Sequence, residues 1–237
     1  ASLSPTSESN LLQKALALHQ SGQLQDARQL YSEILRKNKN QFDALNLSGL
    51  IEFEFRNYLE AAQLFNYAIA VQSNLASTHS NLGLALKELG EFELAVKCFD
   101  TAISIDASYA EAFYNRGVLL QDLNQTQLAI DSYSIAVQIN PNLSEAYNNR
   151  GNAFKSQRKY DLALADYDKA INLDANFSDA HFNKGSALHQ AGKLDAAILS
   201  FDDAIKINPN DAEAFFSRGV ILNEQKRLDG LDSYRKA

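Results

Sequence analysis

Residues 111–141 read E-A-F-Y-N-R-G-V-L-L-Q-D-L-N-Q-T-Q-L-A-I-D-S-Y-S-I-A-V-Q-I-N-P, and this stretch decides the fold. Its first half carries residues of one helix face at i, i+4 and i+7: Phe113, Gly117 and Leu120. Its second half repeats that spacing with Ala129, Tyr133 and Ala136. Polar residues 124–126 separate the halves, and the final proline ends the second. The stretch predicts a helix–turn–helix hairpin, which is too small to bury its own apolar face and must stack on copies of itself.

Copies of this hairpin follow at a period of 34 residues. The small residue of the first helix recurs as Ala15, Gly49, Gly83, Gly117, Gly151, Gly185 and Gly219. The alanine that opens the second helix recurs as Ala27, Ala61, Ala95, Ala129, Ala163 and Ala197, and the aromatic residue four positions later as Tyr31, Phe65, Phe99, Tyr133, Tyr167 and Phe201. We expect the small residues to let the two helices approach closely. A larger residue there would cost about 1–3 kcal/mol through overpacking.

The repeated series resembles a known family. Its residues Gly117, Leu120, Ala129, Tyr133, Ala136 and Pro141 are similar to the tetratricopeptide (TPR) signature, whose repeat has the same length. The resemblance covers residues 8–237 as about seven units that begin near residues 8, 42, 76, 110, 144, 178 and 212. It implies an all-α fold, a right-handed superhelical solenoid of helix–turn–helix hairpins whose first helices line a concave groove. Residues 1–7 are expected to form a flexible N-terminal tail.

The seventh unit departs from the pattern. An alanine is expected at position 231 and an aromatic residue at 235, but these positions hold Leu231 and Arg235, and Tyr234 comes one residue early. We therefore expect the last hairpin to be irregular or truncated, with a missing residue or a displaced helix. Since a solenoid normally needs a polar capping helix and none follows, we also expect the native polypeptide to continue.

Composition limits the classes of partner and of compartment. A net charge of −7 and a pI near 5.1 disfavour nucleic acid, whose binding is dominated by phosphate neutralisation. No apolar run is long enough to span a membrane, and the N-terminus lacks the basic and apolar pattern of a signal peptide. We expect a cytoplasmic protein in which Cys98, the single cysteine, is a packing residue beside the core.

A row of asparagines occupies the sixth position of four consecutive units: Asn81, Asn115, Asn149 and Asn183. By resemblance, the second, fifth, sixth, ninth, twelfth and thirteenth positions face the groove. An amide both donates and accepts hydrogen bonds, which suits the backbone of an extended peptide whatever its sequence. The row is similar to the asparagine ladder in the TPR arm of O-linked N-acetylglucosamine transferases, which implies that it holds a peptide lengthwise. The alternative is that these amides are solvated or bridge adjacent helices.

Further candidate peptide-binding residues lie beside this row: Tyr114, Asn148, Asn152, Phe182 and Phe216. Aromatic residues on an exposed inner face are typical of pockets and hot spots for partner side chains. The alternative is that these rings pack against the neighbouring repeat.

Acidic residues dominate the groove positions: Asp43, Glu54, Glu88, Glu111, Asp122, Glu145, Asp179, Glu213 and Glu224, against Lys87 and Lys155. An acidic groove favours neutral or basic partners over acidic ones. The TPR co-chaperones that clamp acidic tails of heat-shock chaperones carry basic residues at the fifth and ninth positions, and here none of those positions is basic. The comparison argues against a carboxylate clamp.

A second row, of basic residues, comes immediately before the glycines: Arg116, Arg150, Lys184 and Arg218. Such a row could bind anions. We instead expect its aliphatic stems to pack between hairpins while the charges meet acids such as Asp131, Asp166 or Asp202.

Nothing in the sequence points to catalysis. The histidines match no metal-site spacing and no nucleophile pattern: His19, His79, His181 and His189. The dispersed glycines form no phosphate-binding loop. We predict no catalytic residue, no metal site and no cofactor, and a chain that is not an enzyme.

The predicted function is a protein–protein interaction scaffold that binds an extended peptide or partner segment in the concave groove. The alternative is the substrate-recruiting arm of a larger enzyme, such as a glycosyltransferase. A third hypothesis is self-association through the C-terminal end.

Overall fold

The computed structural model describes the backbone of residues 5–236 and the side chains of residues 8–226. Every regular element in that part of the chain is an α-helix, which confirms the predicted all-α class. The helices are α1 (Pro5–Gln20), α2 (Leu24–Lys37), α3 (Phe42–Glu54), α4 (Tyr58–Val71), α5 (Ala76–Glu88), α6 (Phe92–Ile105), α7 (Ala110–Asp122), α8 (Thr126–Ile139), α9 (Ser144–Ser156), α10 (Tyr160–Leu173), α11 (Ser178–Gln190), α12 (Leu194–Ile207) and α13 (Ala212–Lys236).

The helices fall into two compact units, which divide within α7 between Leu119 and Leu120. In the first unit, hairpins α1–α2, α3–α4 and α5–α6 stack through contacts of α2 with α3 and of α4 with α5. In the second unit, α8 packs on α9, hairpins α9–α10 and α11–α12 stack through α10 and α11, and α12 packs on α13. First helices also meet, α3 with α5, and α11 with both α9 and α13. Within each unit, these hairpins therefore bury apolar faces against their neighbours.

Close approach of the two helices in a hairpin is confirmed at the repeated glycines. A Cβ atom placed on Gly151 would lie 2.7 Å from the ring of Tyr167, which is fully buried. Such a distance is below normal van der Waals contact, so the ring occupies the space that the absent side chain leaves. The same contact recurs in three other hairpins: Gly49 with Phe65, Gly83 with Phe99 and Gly185 with Phe201.

The turns inside the hairpins share one backbone conformation. Three of them place a glycine in the left-handed region, at φ +77°, +79° and +74°: Gly22, Gly90 and Gly192. The equivalent residues of three others have φ 62°, 58° and 59°: Arg56, Asn124 and Arg158. All six lie 34 residues apart in sequence, so the turn geometry belongs to the repeat and persists where no glycine is present.

The lone cysteine packs as predicted. Cys98 is half-buried against a core cluster that includes Ala61, Phe65 and Leu82. Its burial raises the pKa of the thiol to about 11, because the charged thiolate is poorly solvated there.

The last helix shows how the seventh unit departs from a hairpin. Helix α13 continues to Lys236, through the level of Lys226 where the repeat would place its turn. The sequence explains this, because Leu231 and Arg235 stand where an alanine and an aromatic ring would dock a second helix. At the other end, α1 begins at Pro5 and overlaps the stretch predicted as a tail, while residues 1–4 lie outside the described residues.

Within the described residues, no helix combines the length and the apolar character that crossing a membrane requires.

Candidate functional site

The four asparagines, which we call the amide row, lie on four successive first helices, α5, α7, α9 and α11: Asn81, Asn115, Asn149 and Asn183. All four side chains are half-buried. The repeat explains their common position, because a spacing of 34 residues returns each amide to the same turn of the first helix.

Two amides of the row, Asn115 and Asn183, donate hydrogen bonds to neighbouring hairpins. Asn115 Nδ2 donates to Ser80 Oγ at 3.3 Å, from α7 to α5. Asn183 Nδ2 donates to Asn148 Oδ1 at 3.0 Å, and Asn148 Nδ2 donates to Asn149 Oδ1 at 3.2 Å. The bridging role considered for these amides is therefore present. Each such bond uses one of the several hydrogen-bonding sites of an amide, so these contacts hold Asn115, Asn149 and Asn183 without saturating them.

The residues beside the amide row differ in how far they reach the surface. Asn148 is buried, at 5% exposure, and so acts mainly through its amide neighbours. Asn152 Oδ1 accepts a hydrogen bond of 2.8 Å from the Tyr167 hydroxyl. The Tyr167 ring fills the space left by the glycine of its hairpin. The ring of Phe182 lies edge-on to Phe201, with centroids 5.4 Å apart, and belongs to the core of its hairpin. Tyr114 is half-buried.

A lysine also lies on the first helices of the second unit. Lys155 on α9 is half-buried, and its Nζ donates to Ser186 Oγ on α11 at 3.5 Å. Burial lowers the pKa of this lysine, while the Glu213 carboxylate acts in the opposite direction. Sequence reasoning identified Lys155 but neither serine partner, Ser80 or Ser186. The clue that could have found them is their place at the fifth and ninth positions of their units, beside the amide row.

The acidic residues at the expected groove positions are all exposed: Asp43, Glu54, Glu88, Glu111, Asp122, Glu145, Asp179, Glu213 and Glu224. Two of them lie near histidines of the preceding repeat, since His189 Nε2 is 3.1 Å from Glu224 Oε2 and His19 Nε2 is 3.9 Å from Glu54 Oε1. These exposed carboxylates place negative charge on the surface of the first helices.

The basic row pairs with acids on second helices, as predicted. Three of its members reach back 16 positions to the preceding hairpin: Arg116 to Asp100 at 2.7 Å, Lys184 to Asp168 at 2.7 Å and Arg218 to Asp202 at 2.5 Å. Arg150 makes a bidentate pair with Asp166 of its own hairpin, at 2.7 and 2.8 Å, and also donates to Ser134 of the preceding one. Asp166 and Asp202 were expected partners; Asp131 instead accepts from Gln127. The row joins hairpins to one another.

Within the described side chains, no group of three or more histidine, cysteine, aspartate or glutamate residues is placed to hold a metal ion.

Comparison with known proteins identifies the repeat. A tetratricopeptide repeat profile matches residues 12–74 and 148–212, a TPR repeat profile matches residues 83–124, and a further tetratricopeptide profile matches residues 110–143. Among the curated proteins, none matches this chain.

Similar solved structures cover most of the chain. They include PilF of Pseudomonas aeruginosa (TM-score 0.77, 17% identity, 92% of this chain and 97% of that one). YrrB, described as a TPR protein with an unusual peptide-binding site, matches with TM-score 0.64 and 21% identity over 80% of this chain and 97% of its own. MamA matches with TM-score 0.62 and 21% identity over 68% and 94%.

At these identities the likeness shows the fold, an all-α solenoid of helical hairpins. The first profile alone covers more than half of the residues. The chain belongs to the tetratricopeptide repeat family.

Proposed function

We propose that this chain is a protein-interaction scaffold that holds an extended segment of a partner protein along the face of its first helices. The observation that carries the proposal is the amide row, Asn81, Asn115, Asn149 and Asn183, in which Asn115 and Asn183 each donate a side-chain hydrogen bond to a neighbouring hairpin and Asn149 accepts one from Asn148 of its own helix. An amide already held in place loses little conformational freedom when a partner binds.

The chemistry of the row suits a peptide backbone better than a particular side chain. An extended segment presents N–H and C=O groups at regular intervals, and an amide can satisfy either kind. Asn183 uses one N–H of its Nδ2 for Asn148, which leaves a second N–H and its oxygen for a ligand. Asn81 is half-buried, and its side chain makes no hydrogen bond within the described residues.

Charge sets the class of partner in this proposal. The first helices carry nine exposed carboxylates at the expected groove positions, and Lys155 is half-buried between α9 and α11. Such a surface attracts neutral or basic segments and repels acidic ones, and the attraction weakens as salt is added.

Family membership supports the same kind of function. YrrB, a structural relative, is described as having a peptide-binding site, which supports a proposal of the same kind for this chain. No contact among the described residues favours the alternative of a substrate-recruiting arm of a glycosyltransferase over a scaffold.

The test begins with a display library of random peptides selected on the immobilised 237-residue chain. Enriched peptides are then titrated by fluorescence anisotropy against the chain and against the double variant Asn115→Ala with Asn149→Ala. Two lost hydrogen bonds are expected to weaken binding by about ten-fold or more. The melting temperature is expected to fall by a few degrees at most. A matched control, Asn172→Ala, removes an exposed amide from second helix α10 and should leave binding unchanged.

Three results would overturn parts of the proposal. Unchanged affinity in the double variant would make the amide row a purely structural bridge. If the library enriched no peptide, the result would contradict the scaffold proposal itself. Enrichment of acidic peptides would contradict the charge preference while leaving peptide binding in place.

A further inference from the structure

An apolar face of α13 lies open to solvent. We call it the open face: Phe215, Gly219 and Leu222, with Phe216 and Val220 along its edge. Phe215 is 50% exposed, Phe216 72% and Val220 42%, and no described atom lies within 4 Å of a Cβ placed on Gly219. A neighbouring face of the same helix is packed, since Ala214 and Ile221 are fully buried against the hairpin of α11 and α12.

The repeat shows that the open face is normally an interface between helices. Phe215 occupies the position of Leu45, which is 4% exposed, and Leu222 occupies the position of Leu188, which is 6% exposed. The glycine between them corresponds to Gly151 and Gly185, whose notches hold the rings of Tyr167 and Phe201. In those hairpins, the second helix supplies the ring. Because α13 continues as one helix to Lys236, the residues that follow Leu222 move away along the helix axis and do not fold back over the notch.

The open face contains both parts of a ring-over-glycine contact, and neither part has a partner among the described residues. Phe215 is an exposed ring, and Gly219, four residues later on the same side of the helix, is an unfilled notch. In an antiparallel pair of α13 helices related by a two-fold axis level with residue 217, Phe215 of each copy meets Gly219 of the other. An interface of this kind uses the same patch twice and closes with two molecules.

We propose that the open face of α13 is the dimerisation surface of this protein, covered by the same face of a second copy in antiparallel orientation. The occupant is a second copy because the open face itself carries an exposed ring, Phe215, and an unfilled space at Gly219 that such a ring fits. The resulting contact reproduces the ring-over-glycine packing found four times within the hairpins.

Charges along the helix fit the antiparallel direction. Asp211, whose carboxylate accepts from the backbone N–H of Ala214 at 3.0 Å, marks the N-terminal end of α13, and exposed Lys226 lies toward the C-terminal end. In the pair, residue 211 of one copy lies level with residue 223 of the other, so Lys226 is about 4.5 Å further along the axis. A parallel pair would bring the two Lys226 side chains together.

The first experiment measures molar mass by light scattering over a range of protein concentrations. A single helix pair is a small interface, so the mass is expected to rise with concentration from 26.3 kDa toward twice that value. Phe215→Asp should keep the protein monomeric. Leu59→Asp introduces the same charge at a leucine that is 64% exposed on α4 and should dimerise like the parent chain. A mass of 26.3 kDa at every concentration, or unchanged dimerisation of Phe215→Asp, would overturn the proposal.

A second variant separates association from folding. Gly219→Leu fills the notch and replaces a helical glycine by a good helix former, so the diluted monomer should melt at a higher temperature. Dimerisation should nevertheless weaken by ten-fold or more. Dimerisation that is equal or stronger in Gly219→Leu would contradict the ring-in-notch contact.

A cross-link tests the geometry. In the proposed pair, residue 212 of one copy lies level with residue 222 of the other, while the two copies of residue 212 lie about 15 Å apart along the axis. With Cys98→Ser as background, Ala212→Cys together with Leu222→Cys should give a covalent dimer under mild oxidation, seen on a non-reducing gel. Each single cysteine variant should form no covalent dimer and run as a monomer on the same gel. A dimer from a single variant, or none from the double variant, would exclude the antiparallel arrangement.

Discussion

At the scale of single residues, Gly151 and Tyr167 determine how closely two helices pack. A Cβ atom at position 151 would lie 2.7 Å from the Tyr167 ring, and that ring has no free space to move into because it is fully buried. We expect Gly151→Val to lower the free energy of unfolding by about 1–3 kcal/mol through overpacking. Urea denaturation followed by circular dichroism measures the change. Asn172→Ala, on an exposed site of α10, should change stability by less than about 0.5 kcal/mol, and equal effects of the two variants would contradict the prediction.

The turn residues give a prediction of opposite sign. Arg158 has φ 59°, in a left-handed region that costs a residue with a Cβ atom about 1–2 kcal/mol. We expect Arg158→Gly to raise the free energy of unfolding by a few tenths to about 1 kcal/mol, because part of the gain is offset by the greater freedom of glycine in the unfolded chain. Asn124→Gly should gain less, since asparagine tolerates this conformation better. Thermal unfolding of both variants measures the difference, and a less stable Arg158→Gly would refute the explanation.

At the scale of helices and hairpins, the basic row gives a prediction about burial. Asp166 has only 8% of its side chain exposed, whereas Asp100 has 51% exposed. Arg150→Ala leaves a buried carboxylate without its partner and also removes the guanidinium from above the rings of Tyr147 and Phe154. We expect Arg150→Ala to destabilise the protein by about 3–5 kcal/mol. The matched variant Arg116→Ala should cost about 1 kcal/mol or less, because its pair is solvated.

Chemical denaturation of both arginine variants measures these costs. Adding Asp166→Asn to Arg150→Ala should restore much of the stability, since no buried charge is then left unpaired. Equal losses in Arg150→Ala and Arg116→Ala would mean that burial does not control the strength of these pairs.

Helices and their pairing could be predicted because both follow from positions that recur at one period. The glycine, alanine and aromatic series required only the sequence, and the notch at Gly151 matches them. The left-handed turns at Arg56 and Arg158 could be inferred only through the repeat, because arginine has no preference for that conformation whereas glycine occupies the equivalent position in other turns.

The partners of the amide row depended on side chains of other hairpins. Asn115 bonds to Ser80 while Asn183 bonds to Asn148, so the outcome varies with a residue 35 positions earlier. The sequence interpretation left open whether Phe182 packs or stays exposed, and its ring lies against Phe201. That outcome depends on side-chain geometry, which the helical period alone does not determine.

At the scale of the whole molecule, buried tyrosines link stability to alkaline pH. Burial raises the pKa of Tyr31 from 10.0 to about 12, and it also raises the pKa of Tyr167. The folded state therefore holds these protons more tightly than the unfolded state. Their contribution to stability is complete below about pH 10 and is lost as the pH rises toward the folded-state value.

We expect the melting temperature to fall steeply as the pH is raised from about 10 to about 12. The double variant Tyr31→Phe with Tyr167→Phe should show a smaller fall over the same interval, relative to its own value near neutral pH. Tyr67→Phe is the control, because that side chain is 63% exposed, and it should follow the parent chain. Scanning calorimetry at a series of pH values measures these differences, and parallel curves for all three proteins would rule out the tyrosine linkage.

The salt bridges between hairpins have a consequence for how the gene can change. Arg116, Lys184 and Arg218 each pair with an acid 16 positions earlier, so cation and acid recur with the same period as the hairpin itself. Unequal recombination that adds or removes one stretch of 34 codons in this part of the gene would leave every remaining cation beside an acid or a hydroxyl. The first two hairpins are joined differently, through Arg28 and Glu52. A duplication that copied them into the middle of the array would therefore place next to each other hairpins whose charged residues do not pair. We therefore expect gains and losses of whole repeats in the lineage of this gene to concentrate downstream of the second hairpin.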